Sequence, residues 1–399
     1  MKTSQILEAT RSVMPRVLET RRHLHQNPEI RWEEDETVKY IQDRFPAHLV
    51  DGCSGLAKQD SGGLCLDLTF DPTWDRILFR ADVDALPIQE ETGLDFASQI
   101  PGVMHACGHD MHSAMLLGAM RAIASGWVKA VHNLRFVFQR AEENPGSTPR
   151  PDSGGKVLVD EGVCDGISRV YGLHIGADKP AGVFFSRPGP AMANSDRLKV
   201  EITCNGGHVM NPHKGSNAID IGVRICQALE GFALRNLGPN EPISLVPAIF
   251  QSGTASNIRP NKAELWFAVR NMLDEYYRDH FRQLLEQEIY AIATCYAGAD
   301  LKVTYVRGHP ALINDPQSFE KVQGILQGAG FETKTQEPNF GGEDFAYYLQ
   351  QVPGSFWYLG AQNPDGSGGH HTSTFNPLEE EMEKGVAFWL LLATTPSDK

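Results

Sequence analysis

Apolar positions follow two periods along this chain, and each period marks a different stretch. Between residues 4 and 26, Ile6, Val13, Val17 and Leu24 recur near one face of a helix, and Asn27-Pro28 ends it. Residues 77–81, Ile-Leu-Phe-Arg-Ala, are a short apolar run that reads as a buried strand delivering Asp82 and Asp84. Residues 134–138, Leu-Arg-Phe-Val-Phe, read as another strand, which delivers Gln139 and then Glu142 and Glu143. A third strand, residues 170–175, carries His174. Between the first two, Met111, Met115, Leu116, Ala119 and Ile123 place a helix over 110–125. Strands alternating with helices predict a largely parallel α/β sheet, and ligands of such sheets gather at the carboxyl ends of the strands. The acids and His174 fall at or near those ends.

The pattern changes after Arg187-Pro188-Gly189-Pro190. Leu198, Val200, Ile202 and Cys204 alternate as a half-buried strand. Residues 216–233 have helical period, residues 243–250 are strand-like, and Ala263, Leu265, Phe267 and Val269 alternate again. An amphipathic helix over 274–296 and a strand over 301–306 follow, before Gly308-His309-Pro310. The order βαββαβ is that of a ferredoxin-like module. A small α+β domain, 188–306, is therefore expected inside a larger α/β domain made of 1–187 and 307–399.

A length of 399 residues with 41% hydrophobic content allows two domains with sizeable cores. Lys plus Arg, 36, minus Asp plus Glu, 50, leaves a net charge of -14, which argues against nucleic acid and anionic membrane as partners. No apolar run is long enough to span a bilayer, and the opening Met-Lys-Thr-Ser-Gln-Ile-Leu-Glu lacks the apolar core of a signal peptide. Seven scattered cysteines fit a reducing cytoplasm better than a disulfide framework. Six of them, Cys53, Cys65, Cys164, Cys204, Cys226 and Cys295, are expected to be inert.

The exception is Cys107, within His105-Ala-Cys-Gly-His-Asp-Met-His112. Thiolate, imidazole and carboxylate are the donors that hold zinc, manganese and related ions. Cys107 and His109 lie two apart in a glycine-containing turn, so both can face one ion. Consecutive acids on extended backbone point to opposite sides, so one of Glu142 and Glu143 can bind metal while the other faces water as general base and acid. His174 and His371 would complete two coordination spheres, and Asp82 or Asp84 would orient an imidazole through its far nitrogen. Each residue also has a plainer reading. Cys107 can be a small buried hydrophobe, Glu142-Glu143 a solvated pair, His174 a core histidine, and the two aspartates turn caps. His105 and His112 are expected to pack or orient rather than ligate, and one of His370 and His371 is expected to be only a neighbour.

The motifs, in order, resemble the metal-dependent amidohydrolases that include hippurate hydrolase, N-acyl-amino-acid deacylases and auxin–amino acid conjugate hydrolases. The resemblance runs nearly end to end. It rests on Arg22-His-Leu-His25 with Pro28-Glu29, Arg80-Ala-Asp-Val-Asp-Ala-Leu-Pro87, Met104-His-Ala-Cys-Gly-His-Asp110, Phe138-Gln139 with Ala141-Glu-Glu143, Gly172-Leu-His174, Gly206-Gly-His208 with Pro212-His213, Gly341-Gly-Glu-Asp-Phe345, and His371 with Phe375. It implies an aminopeptidase-like catalytic domain with an inserted lid and dimerisation domain. It also implies two divalent ions per subunit, manganese or zinc with cobalt as a further option, held by Cys107, His109, Glu143, His174 and His371. Glu142 is then the acid/base, and His208 a lid histidine that supports the oxyanion in the partner subunit's site. Asn257 and Arg270 grip the substrate carboxylate, which suits the bidentate geometry of Arg. The chain departs from the family pattern at Arg140, where proline is usual, in the proline-rich loop 144–153, at Val209-Met-Asn211, and at Arg259, where an apolar residue is usual. Arg140 is expected to add charge near the base and to touch substrate.

The expected activity is hydrolysis of the amide of an N-acyl amino acid or a small conjugate, by a cytoplasmic homodimer joined through the lid. The rivals are a dipeptidase or aminopeptidase of the same fold, a catalytically inactive metal- or ligand-binding relative, and a cysteine hydrolase with Cys107 as nucleophile. An aspartate at position 107 would favour the peptidases, and Glu142 argues against an inactive protein.

Overall fold

A computed structural model describes residues 2–45, 57–58, 63–143, 152–238, 241–366 and 368–396. Cys53 and loop residues 144–151 lie outside the described residues. The chain divides into two compact units, one of 1–189, 314–337 and 344–399, the other of 190–313 and 338–343. These edges lie a few residues beyond the expected 187/188 and 306/307, and the second unit also takes in 338–343. Residues 307–313 belong to the second unit because Gly308 N–H donates to Asp196 Oδ1 at 2.9 Å and His309 N–H to Ser195 Oγ at 3.1 Å. Residues 338–343 join it because Asn339 N–H donates to Ala191 O, and Ala193 N–H is shared by the carbonyls of Asn339 and Gly341.

The first unit begins with α1 (Thr3–Gln26), α2 (Asp35–Arg44), β1 (Ala57–Lys58), β2 (Leu64–Leu68) and β3 (Arg76–Asp82). It continues through α3 (His109–Ala124), β4 (Asn133–Gln139), α4 (Gly154–Asp160), β5 (Arg169–Gly176) and β6 (Phe184–Ser186). The second unit holds β8 (Asp196–Thr203), β9 (Gly207–His208), α5 (Ala218–Glu230), α6 (Phe232–Asn236), β10 (Ile243–Ser252), β11 (Ile258–Arg259), β12 (Lys262–Asn271), α7 (Glu275–Ala293) and β13 (Asp300–Val306). It is bracketed by β7 (Gly189–Met192) and β14 (Leu312–Asn314). The chain then returns to the first unit with α8 (Pro316–Gly328), β15 (Thr333–Thr335), α9 (Ala346–Gln351), β16 (Gly354–Gly360) and α10 (Met382–Thr394).

The first unit's sheet has the order β1-β2-β4-β3-β5-β16-β6-β15. Its centre, β4-β3-β5-β16, is parallel throughout, while β2 joins β4 and β6 joins β16 antiparallel. Parallel strands covered on both faces read as continuous apolar runs, and β3 and β5 are buried over nearly their whole length. Helices α1, α3 and α10 pack together, and α3 also lies on β3, β4 and β5. α3 is apolar nearly all round, as a fully enclosed helix must be. β16 was not anticipated. Gly-Ser-Phe-Trp-Tyr-Leu-Gly has no alternation because both its faces are buried, and a short apolar run carries no period to read.

The second unit has the strand order β10-β12-β8-β13, every neighbouring pair antiparallel. That is the ferredoxin-like arrangement read from the alternation. β12 alternates buried and half-buried residues along its length, and α5 and α7 cover one face. The single helix expected over 216–233 is instead two, α5 and α6, divided at Gly231, a weak helix former that caps the first and precedes the second. Asn217 caps α5, and Asp274 caps α7 by accepting from Tyr277 N–H at 3.0 Å. Asp196 accepts from Asn194, Arg278, Tyr305 and Gly308, which ties β8, α7 and the segment after β13 into one buried polar knot.

His309, beside this knot, is pushed down to about 4 by burial and by the Arg270 guanidinium. Its folded pKa lies below its unfolded value, so the unfolded chain binds the extra proton and stability is lost as pH falls from about 6.5 toward 4. Urea melts of the second unit's signals across that window are expected to lose on the order of 1 kcal/mol per pH unit. His309→Gln is expected to flatten the slope; an equally steep slope in that variant would assign the loss elsewhere.

Candidate metal centre

The carboxyl ends of β3, β4 and β5 meet the amino end of α3. Gly108 precedes α3 with φ +93°, which an L side chain rarely adopts. It turns the chain so that Cys107 lies ahead of the helix and His109 opens it. Ligand atoms of Cys107, His109 and His174 lie within 4.8 Å of one another, as do those of Cys107, Glu143 and His371, and those of His109, Glu142 and Glu143. Cys107 is common to two trios, and Glu142 stands beside the second acid. Every residue expected to ligate is therefore gathered in the first unit, from four separate stretches of sequence.

The far nitrogens are held. Asp84 Oδ1 lies 3.1 Å from His109 Nδ1, and Asp84 Oδ2 accepts from Glu143 N–H at 2.9 Å. One carboxylate thus orients two of the candidate ligands. His109 Nε2 is buried and has no hydrogen-bond partner among the described residues, and Glu143 Oε1 lies 3.2 Å from Nε2 of His371, a fellow candidate ligand. His174 Nδ1 lies 2.6 Å from Ile175 O, which accepts its proton and leaves Nε2 3.4 Å from Cys107 Sγ. An orphaned imidazole nitrogen among a thiol, imidazoles and carboxylates is a donor set that a pair of divalent cations fits.

Electrostatics point the same way. Burial disfavours a charged His109, yet the Asp82 carboxylate and the Asp84 hydrogen bond outweigh it and hold its pKa well above the usual value. Burial and the Glu143 carboxylate push the Cys107 thiol up. Both shifts describe a pocket that stabilises positive charge, and a bound cation would deprotonate both groups.

Asp82 is not beside His109 Nδ1. Its Oδ1 lies 2.6 Å from His112 Nδ1, and Ile175 N–H donates to His112 Nε2 at 2.8 Å. Both His112 nitrogens are used, so this histidine orients β5 and does not ligate. Asp82 is balanced from below by Arg80, which also pairs with Asp344 at 2.6 Å. Asp344 N–H reaches back to Glu142 Oε1 at 3.4 Å. His105 is buried, and burial pushes it down to about 4, so it is neutral at physiological pH. Asp110 faces away from the donor cluster, its Oδ2 2.8 Å from His25 Nδ1 and 3.2 Å from Arg21 Nε.

Backbone strain marks the site. Among the described residues, Ala141 (φ +54°) and His371 (φ +61°) are two of three non-glycine residues in the left-handed region. Such outliers gather at functional sites. The strained Ala141 is held by Glu34, which accepts from Ala141 N–H at 2.8 Å and from Arg140 Nε at 2.6 Å. Arg140 also pairs with Asp35 at 3.0 Å and is 6% exposed. The expectation that Arg140 meets substrate is overturned: a buried guanidinium keeps its carboxylate partner, because separating the two would leave a charge unpaired. Sequence reasoning also missed His370. It lies 3.8 Å from Cys107 Sγ through Nδ1 and accepts from Ala177 N–H through Nε2, so its proton faces the sulfur.

The remaining expected residues belong to the second unit. His208 is exposed on β9, and Met210 N–H donates to its Nδ1 at 3.2 Å, which places its proton on Nε2. Asn257 is exposed, and its carbonyl accepts from Val209 N–H at 3.2 Å. Arg270, half-buried on β12, donates to Asn194 O at 3.1 Å.

The description of peptidase family M20/M25/M40 matches residues 78–395. The chain belongs to this family. It is 32% identical over 386 residues to thermostable carboxypeptidase 1 of Saccharolobus solfataricus, covering 96% of each chain. It is 34% identical over 375 residues to the N-acetyl-L-cysteine deacetylase of Bacillus subtilis, covering 92% of this chain and 85% of that one. Among solved structures, the YXEP protein of Bacillus subtilis, a dinuclear metal binding peptidase of the M20 family, superposes with a TM-score of 0.80. The two are 28% identical, with 96% of this chain and 98% of that one covered. The α/β fold expected from the motifs is the M20 fold.

Replacing Asp84 tests the shared carboxylate. Asp84→Ala frees His109 and Glu143 together, and metal affinity is expected to fall by about 10- to 100-fold. Competition against a chromophoric chelator measures it, and unchanged affinity would show that the two ligands are oriented by something other than Asp84.

Proposed function

We propose that this M20-family chain is a metal-dependent amidohydrolase that cleaves the amide of N-acyl amino acids or related small conjugates. The observation that carries the reading is the two donor trios sharing Cys107, with the Glu142 carboxylate beside them. Cys107, His109, Glu143, His174 and His371 hold two divalent ions, with manganese, zinc and cobalt the candidates. When bound, such ions polarise an amide carbonyl and acidify water.

The chain's own residues do the rest. Glu142 takes the proton from the attacking water as the new C–O bond forms, then delivers it to the leaving amine as the C–N bond breaks. His208, with its proton on Nε2, donates to the oxyanion in the partner subunit's site. Asn257 and Arg270 bind the carboxylate of the amino acid. Cys107 is a ligand and not a nucleophile. Burial and the neighbouring Glu143 carboxylate push its thiol up, opposite to the lowered pKa that activates a thiol nucleophile.

The relatives named carboxypeptidases favour a second substrate class, peptides cleaved at the carboxy-terminal bond. The bond is chemically the same: in both classes the leaving amine is an amino acid with a free carboxylate. No helix among the described residues is long and apolar enough to cross a membrane, and we place the enzyme in the cytoplasm on its cysteine usage.

The decisive experiment is hydrolysis of N-acetyl and N-benzoyl amino acids and N-blocked dipeptides by metal-stripped protein, with and without added manganese, zinc or cobalt. Turnover is expected only with metal, and Glu142→Gln is expected to lower kcat by about 10²–10⁴-fold while metal uptake is kept. Turnover that survives chelation would instead support a thiol hydrolase.

The homodimer is proposed through β10. This strand ends its sheet and exposes Val246, Ile249 and Phe250, with Ile219 and Val223 exposed on α5, which packs against it. An unpaired edge with exposed apolar side chains is a surface that pairs with a second copy. Val246→Lys is expected to shift sedimentation from dimer toward monomer and, through His208, to lower activity with it; a variant that stays dimeric would move the interface elsewhere.

A further inference from the structure

The second unit contains a guanidinium whose hydrogen bonds all go to one loop. Arg259, 8% exposed, donates through Nη1 to Pro212 O at 3.2 Å and Gly215 O at 2.7 Å. It donates through Nη2 to Gly206 O and Lys214 O, both at 2.9 Å. These four carbonyls lie on both sides of His208. β11 pairs with β9 in the register Arg259↔Gly207 and Ile258↔His208, so the arginine stands opposite the residue that precedes the histidine. Gly207 has φ +128°, and a Cβ there would stand 2.9 Å from Arg259 Nη2. The loop backbone is thus wrapped closely around the guanidinium.

Beyond the short β9–β11 pairing and the bond from Val209 N–H to Asn257 O, little else orders the loop. Met210 is 80% exposed and Val209 40%, so apolar burial contributes little. The backbone bonds within the loop are the short turns Asn211 N–H to His208 O and Lys214 N–H to Asn211 O. The planar fork of arginine matches several carbonyls at once, which an ammonium cannot do. An apolar residue at position 259 would leave those carbonyls without their donors.

We infer that Arg259 is a positioning residue for catalysis: its guanidinium staples the 206–215 loop so that Met210 N–H caps His208 Nδ1 and the Nε2 proton is presented to the oxyanion. The inference rests on the proposed role of His208. It predicts a defect in transition-state stabilisation and not in metal loading, since every ligand lies in the first unit.

The test is steady-state kinetics of the metal-loaded enzyme on its best panel substrate, for Arg259→Met, Arg259→Lys, His208→Ala and the double variant Arg259→Met/His208→Ala. Nitrogen chemical shifts of His208 report its tautomer independently of turnover. His208→Ala is expected to lower kcat by about 10²–10³-fold, the size of one oxyanion donor. Arg259→Met is expected to lower kcat by about 10- to 100-fold with KM within about threefold and metal content unchanged, and the tautomer is expected to become mixed. Arg259→Lys is expected to recover part of the loss, and the double variant to be no slower than His208→Ala alone. A kcat for both Arg259 variants within twofold of the parent, with His208→Ala still impaired, overturns the staple and leaves the role of His208 standing. Losses that multiply in the double variant overturn it too, because the two residues would then act separately. If His208→Ala is itself fully active, the oxyanion reading fails, and the catalytic role of Arg259 fails with it. Should Arg259→Met fold poorly, Arg259→Lys with the tautomer measurement decides alone.

Discussion

The arrangement of this site depends on one buried carboxylate. Asp84 follows the central strand β3 and bonds on one side to the imidazole that opens α3, on the other to the backbone of Glu143 after β4. Three segments far apart in sequence are thereby held at one point. A carboxylate can do this in a dry interior only if its charge is answered. His109 supplies part of the answer. Cations held by the donor trios around Cys107 would supply the rest. The site is thus a cluster of carboxylates at the carboxyl ends of parallel strands, answered in part by His109 and by the Arg31 guanidinium.

Below it lies a second layer of charge that is compensated internally. Arg80 spans Asp82 and Asp344, Gln139 bridges Arg80 to Asp344, and Tyr348 closes on Gln139. Glu34 and Arg140 form a parallel pair under the strained turn at Ala141. Glu34 is pushed up to about 7 by burial and by Asp84, which shows how far the pocket's negative field reaches. These pairs contribute little net stability for their number, since desolvation offsets attraction. Their effect is geometric: they set where the ends of β3 and β4 stop and which way Glu142 and Glu143 turn.

The second unit solves a different problem with the same chemistry. Its 206–215 loop carries the exposed His208 and has almost no core of its own. Carbonyl acceptors around one arginine replace apolar packing there, while the Asp196 knot anchors the return of the chain. Arg140 and Arg259 are both buried: Arg259 binds backbone carbonyls directly, while Arg140 pairs with Glu34, whose carboxylate holds the Ala141 N–H.

The parallel strands, the inserted βαββαβ module and the ligand-type residues were legible because each leaves a local mark. Buried strands leave apolar runs, a half-buried sheet leaves alternation, and metal ligands draw on few residue types. β16 was not legible, because a strand buried on both faces has no period, and neither was the break at Gly231. The sequence by itself determined the elements that carry a hydrophobic period or a short apolar run between polar ends, and which side chains can hold a cation. Only the tertiary structure decided that Asp84 and not Asp82 orients His109, that His112 spends both nitrogens on the scaffold, that His370 faces the Cys107 sulfur, and that Arg140 is buried. The physical reason is that a polar side chain's role is set by the partner it meets after burial, and those partners come from positions up to hundreds of residues away, as in the 264 that separate Arg80 from Asp344.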